Sequence, residues 1–233
     1  MGGGTGGFPV ELILFGGIAA FLVIRLRGIL GRRQGFERPP EQRPANVVDL
    51  RAPGSPPRAS NPPPVIDGVA EPLVVIARTL PEPSSPAGQT LAAMSQVEPA
   101  FTPARFLDGA EAAFRMIVQA FAVGDRAVLR PLLTDDTYRA FDGAIAGRET
   151  ANETQRTEIR AVGTVAVDAA ELRDRLASIT VRFVSDQVNV TMGPDGNPVA
   201  GADALTEMTD LWTFERELGA PDPAWRLAAA RSA

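Results

Sequence analysis

The chain predicts an α+β protein: three helices packed on a curved four-stranded antiparallel sheet, behind an N-terminal transmembrane helix and a disordered, proline-rich linker. Three observations predict this. An apolar run from Phe8 to Ile24 stands near the front of the chain. Fourteen of the 21 prolines fall between Gly31 and Pro99. Beyond Phe101 the apolar residues recur at helical spacing, and beyond Thr157 they recur at every second position. The expected boundaries are residues 1–30 for the anchor, 31–99 for the linker and 100–233 for the domain.

The anchor comes first. A helix from Val10 to Leu30 reaches across a bilayer, because about 20 residues at ~1.5 Å each cover the ~30 Å hydrocarbon layer. Arg25 and Arg27 lie near its end, where long side chains reach the headgroups. No Lys or Arg precedes the run, whereas Arg25, Arg27, Arg32, Arg33 and Arg38 follow it. A secretory leader has the opposite arrangement. The positive-inside rule places the N-terminus outside and the rest of the chain in the cytoplasm, as a single-pass protein of the inner (cytoplasmic) membrane. Arg25, Arg27, Arg32 and Arg33 then face an anionic lipid surface. Gly2, Gly4 and Gly7 match a dinucleotide fingerprint by spacing, but no strand precedes them, so the phosphate-cradling turn is missing. Gly6 stands where myristoylation requires Ser or Thr.

Composition narrows the chemistry. There is no Cys and no His, which removes thiolate metal sites and every nucleophile that depends on an imidazole. All 23 basic residues are Arg, so lysine Schiff bases and Walker-type phosphate sites are excluded as well. No cofactor is expected. Net charge is −5, with acids in excess beyond residue 100, which argues against nucleic-acid binding.

The linker, with Pro62-Pro63-Pro64, has the composition of an extended solvated chain. One apolar patch, Leu73 to Ala77, interrupts it. It reads either as an unstructured run or as a strand that docks on a partner or on the domain's own sheet edge. In the domain, Phe106, Ala110, Phe114, Ile117 and Phe121 form one helical stripe. Thr102-Pro103 is its start signal and Gly124-Asp125 its end. A second helix is predicted over 126–133 and a third over 136–149, the latter burying Tyr138, Phe141 and Ile145. Strands follow at 157–167, kinked at Gly163, and at 177–191, with a bulge near Ser185 or Asp186 where the alternation changes phase. Two more are predicted at 205–218 and 225–230. Short turns between consecutive strands imply an antiparallel meander, and a bulged sheet curls over its covering helix into a cone. Phe114, Ile117, Phe121, Phe141, Phe183, Trp212, Phe214 and Trp225 are the residues expected to line a pocket in that cone or to fill its core.

Four blocks carry a resemblance: Phe106 to Phe141, then VRFVSDQVNV (Val181 to Val190), TDLWTFEREL (Thr209 to Leu218) and DPAWRLAA (Asp222 to Ala229). In this order they resemble the Tim44-like domain family over roughly residues 95–231. The anchor with its trailing arginines resembles the bacterial members of that family, TimA. The resemblance implies a nuclear-transport-factor-like or cystatin-like cone with an apolar pocket. It also implies an adaptor in protein translocation or membrane-protein assembly, with translocase components or a seventy-kilodalton heat-shock chaperone as partners. No catalytic residues carry over from the family, and the long charged helical region that meets the chaperone in the mitochondrial member is missing here. An apolar-ligand carrier is the alternative. A third reading is an isomerase-like enzyme using Tyr138 with Asp186, Asp210 or Glu215.

Overall fold

A computed structural model describes residues 76–233. The expected anchor, and the linker up to residue 75, lie outside the described residues, as do Arg25, Arg27, Arg32 and Arg33. Among the described residues no helix is long and apolar enough to cross a membrane.

The elements run β1 (Ala77–Thr79), α1 (Pro86–Val97), α2 (Pro103–Val123), α3 (Arg126–Leu132), α4 (Asp135–Thr150), β2 (Thr154–Arg173), β3 (Leu176–Met192), β4 (Pro198–Glu217) and β5 (Arg226–Ser232). The five strands form one open sheet in the order β1-β2-β3-β4-β5. The last three pairings are antiparallel, as the short turns predicted. β1 adds a parallel pairing, Ala77 opposite Thr164 and Thr79 opposite Ala166. The α+β class therefore holds, but the described residues contain four helices and five strands rather than three and four, and the sheet does not close into a cone.

The two additional elements fall inside the stretch assigned to the linker. Helix α1 has only Leu91 and Met94 as large buried apolar residues, set among Ala, Ser, Gln and Thr, so its periodicity is faint. Its start is nevertheless well made. The Ser85 hydroxyl accepts from the Gly88 N–H at 3.1 Å and donates to the Glu82 carbonyl at 2.6 Å. A Cβ at Gly88 would run into that same carbonyl, so the turn closes only around glycine. Strand β1 takes in only the last residue of the apolar patch, Ala77, and continues through Arg78 and Thr79 along the edge of β2. Arg78 ties it to α2 through Asp108 at 2.8 Å and Glu111 at 2.9 Å. Glu111 is buried and also takes Arg115 at 3.0 Å, so two guanidinium groups compensate its charge.

The other helices keep their predicted bounds within a residue or two. Gly124 ends α2 in the left-handed conformation, at φ 75°. Asp125 caps α3 by accepting from the Val128 N–H at 3.0 Å. Thr134 caps α4, which leaves Asp135 and Asp136 to complement the helix dipole. The corner between α3 and α4 rests on β5. The Thr134 N–H donates to the Leu227 carbonyl at 3.0 Å, and the buried Thr137 hydroxyl donates to the Ala228 carbonyl at 2.8 Å.

The sheet curves because β2 is longer than its partner by local insertions. Its pairing with β3 shifts between Ile159 and Ala161, between Val162 and Thr164 and between Val167 and Ala169, leaving Arg160, Gly163 and Asp168 unmatched. The kink expected at Gly163 is the second of these. The bulge expected on β3 near Ser185 or Asp186 sits elsewhere. β3 alternates without interruption to Gln187, and its pairing with β4 breaks between Gln187 and Asn189. Buried Ser185 and Gln187 thus share the face of Phe183. The Gln187 amide donates to Ser185 at 2.8 Å and to Asp210 at 3.4 Å, which satisfies polar groups where the alternation suggested apolar ones.

Candidate functional site

The domain's apolar hollow lies between the start of α2, the end of β4 and the turn at Pro223 to Trp225 that precedes β5. Its position follows from α2 itself. One part of the helix surface carries Phe114, Ile117 and Phe121, all buried against the sheet. The part nearer the N-terminus carries Gly109, Ala110 and Ala113, too short to fill the space above Phe214. The result is a cleft of about 530 Å³. Phe101, Phe106, Phe214 and Trp225 form its aromatic walls, and Met116, 47% exposed, stands at its mouth.

The aromatic walls support one another. Phe101 precedes the N-cap Thr102 and Phe106 lies one turn into the helix, the spacing of a hydrophobic staple, with ring centroids 6.3 Å apart. Trp225 closes on both, 5.8 Å from Phe101 and 4.7 Å from Phe106, and Phe106 meets Phe214 edge-on at 6.1 Å. One polar wall is built from three segments. Arg216 of β4 lies over the Trp225 ring at 5.3 Å, donates to the Pro223 carbonyl at 3.1 Å and pairs with Glu98 at the end of α1. Glu98 also accepts from the Gly219 N–H at 2.8 Å. The Arg216 hydrogen bond, followed by the one from Gly219, holds the Glu98 carboxyl below the usual glutamate range. Arg105, exposed on the first turn of α2, brings a second positive charge to the rim.

Of the eight residues expected to line a pocket, Phe214 and Trp225 line this cleft. Phe214 is at the same time part of the packed core, to which the other six belong without reaching the cleft. Phe114 stacks on Phe183 at 4.4 Å and meets Trp212 edge-on at 4.8 Å, Phe121 meets Phe141 at 4.9 Å, and Ile117 is fully buried. Sequence reasoning missed Phe101, Glu98 and Arg216. The staple spacing between Phe101 and Phe106 was a readable signal for the first. Nothing local marks the ion pair, whose members are 118 residues apart.

The groups considered for isomerase-like chemistry do not gather at the cleft. Tyr138 packs at the edge of the core with the Arg130 guanidinium 4.7 Å from its ring. Glu215 accepts from the Ser178 hydroxyl at 2.9 Å. Asp210 is buried and accepts from Ser232 at 3.3 Å as well as from Gln187. Asp186 follows the opposite parity of β3 from Phe183 and is half-buried. A second hollow of about 720 Å³ has a mixed lining that includes Pro131, Leu133, Arg130 and Arg226, and its arginines are engaged: Arg130 with Asp135 at 2.8 Å and Arg226 with Asp222 at 2.7 Å.

Comparison with curated proteins finds no match to this chain. Comparison with protein families finds one, the Tim44-like domain, over residues 87–232. That span begins within α1 and ends within β5, so it takes in the walls of the cleft, the core beneath α2 and the whole antiparallel meander. The chain belongs to the Tim44-like domain family.

Proposed function

We propose that this protein is an adaptor in protein translocation or membrane-protein assembly. It is held in the inner membrane by residues 8–30 and presents its Tim44-like domain on the cytoplasmic face, as a TimA-type member of the family. Arg25, Arg27, Arg32 and Arg33 would rest on anionic headgroups. The domain's work in this reading is non-catalytic. It binds a translocase component or recruits a seventy-kilodalton heat-shock chaperone, and the tether keeps that partner concentrated at the bilayer. One observation carries the reading: an open apolar cleft with four aromatic walls, a flexible Met at its mouth and a positive rim. Such a hollow suits an apolar anchor residue of a protein partner, with a carboxylate beside it to meet Arg105.

A photo-crosslinking residue at Met116 tests this in native membranes. Translocase or chaperone peptides are expected from the otherwise unaltered chain and are expected to disappear in Gly109→Leu. Position 109 is open space beyond its Cα, so the larger side chain fills the cleft without touching the core. The same crosslinks in the filled variant would overturn the proposal. The volume of about 530 Å³ also favours a second reading, a small apolar ligand or lipid chain, because it falls in the usual range of ligand pockets. A lipid that co-purifies with the unaltered chain but not with Gly109→Leu, found by mass spectrometry, would select it.

A further inference from the structure

At the opposite end of α2 from the aromatic cleft is a small pocket of about 190 Å³. It lies where Gly124 caps the end of α2, the last turn of α4 carries Arg148 and Glu149, and β2 begins at Thr154 and Gln155. Two of the side chains lining it hold buried polar atoms without any hydrogen-bond partner: a donor, Arg148 Nη1, and an acceptor, Gln155 Oε1. Buried polar groups are satisfied in folded proteins with few exceptions, so two on one small pocket point to an occupant.

Neither group can turn away. Arg148 is 6% exposed. Its Nη2 donates to the Phe121 carbonyl at 2.5 Å, and its guanidinium lies over the Phe121 ring at 4.5 Å. It thereby adds a second donor to the Phe121 carbonyl, which also accepts from the Gly124 N–H at 3.3 Å where α2 ends. The Gln155 amide is fixed from its nitrogen side, donating to Thr157 Oγ1 and Asn189 Oδ1, each at 3.1 Å. Rotating it would set its carbonyl against the Asn189 oxygen. The donor and the acceptor are therefore preset.

The chemistry of the pair selects the occupant. A carboxylate would satisfy Arg148 but would oppose Gln155 Oε1 and the carboxylates of Glu149 and Glu153, which also line the pocket. An ammonium group would satisfy Gln155 and oppose the guanidinium. A neutral carboxamide satisfies both, its oxygen accepting from Arg148 and its NH2 donating to Gln155. The volume is below that of a pocket for a drug-sized ligand and suits a single side chain. We infer that this pocket receives the side-chain carboxamide of an Asn or Gln presented by a protein partner. The protein nature of the partner rests on the adaptor reading. The amide preference does not, and the cleft plays no part in it.

The test uses the full chain in detergent micelles and short peptides as probes, Gly-Gln-Gly against Gly-Glu-Gly. Nitrogen-edited NMR of the Gln155 side-chain NH2 and the Arg148 guanidinium reads the binding. A saturable shift in the millimolar range is expected with the glutamine peptide, at least about tenfold weaker with the glutamate peptide, since one hydrogen bond is replaced by a repulsion. Gln155→Met is expected to abolish the shift, while Gly109→Leu leaves it unchanged. Equal response to both peptides, or none up to their solubility limit, would overturn the assignment; the second outcome would mean that water fills the pocket. Because both peptides are read on the unaltered chain, the test stands even if Gln155→Met does not fold.

Discussion

Two aromatic clusters lie side by side along α2 and behave differently. Phe114, Phe183 and Trp212 are sealed, each 1% exposed or less. Phe101, Phe106 and Phe214 are buried as well, but together with half-buried Trp225 they border an open cleft. The residue types are the same and so is the helix. What differs is the small-residue patch at Gly109, Ala110 and Ala113. Facing the first cluster α2 places phenylalanine and isoleucine, and the space fills. Facing the second it places glycine and alanine, and the space stays open. Aromatic content marks a core or a pocket equally well; the size of the residues opposite decides which one forms.

The difference predicts how each cluster responds to change. Phe114→Ala removes the ring stacked on Phe183 and the edge contact with Trp212. It is expected to cost about 3–5 kcal/mol, read from urea unfolding by tryptophan fluorescence. Trp225→Ala acts on a half-buried ring and is expected to cost about 1–2 kcal/mol by the same measurement, while abolishing crosslinking at Met116. If both substitutions cost the same, the two clusters are one core and the comparison fails. Glu98→Gln breaks the polar wall of the cleft and is expected to cost about 1 kcal/mol at neutral pH, after allowance for solvent screening. Its folded-state pKa is depressed, so its contribution is fully present above the unfolded glutamate value and is lost as pH falls through the folded one. Unfolding curves of the two proteins should therefore differ at neutral pH and converge at acid pH. A gap that persists in acid would place the effect outside this ion pair. Gly109→Ala is the mildest change. It meets nothing at the cleft, and the gain in helix propensity is expected to stabilise the protein by up to about 1 kcal/mol.

Much of the domain was legible in order along the chain. The stripe from Phe106 to Phe121, the Gly124-Asp125 punctuation and the change of period after Thr157 mark elements that the structure contains. The misses share a cause. Helix α1 was hidden because two apolar residues among alanines and serines make no period. Strand β1 was weighed only as one of two readings, because three residues gain strand character from the β2 edge they join and have little of their own. The irregularity expected near Ser185 on β3 falls at Val188, where the register with β4 breaks, and both Val188 and Val190 are buried. The alternation runs on through Ser185 and Gln187, buried polar residues joined by a hydrogen bond, which is why the break lies beyond them. The cleft was half visible: Phe214 and Trp225 were named, but core and wall residues have the same periodicity.

By itself the sequence determined the class of the domain, the order of its main elements and its family, because these rest on patterns between near neighbours. It also excluded thiol, imidazole and lysine chemistry outright, since those groups are absent. Only the tertiary structure decided which aromatics border the cleft and which do not, and that Glu98 meets Arg216. Those outcomes depend on distances between residues far apart in the chain, and no local pattern encodes such a distance.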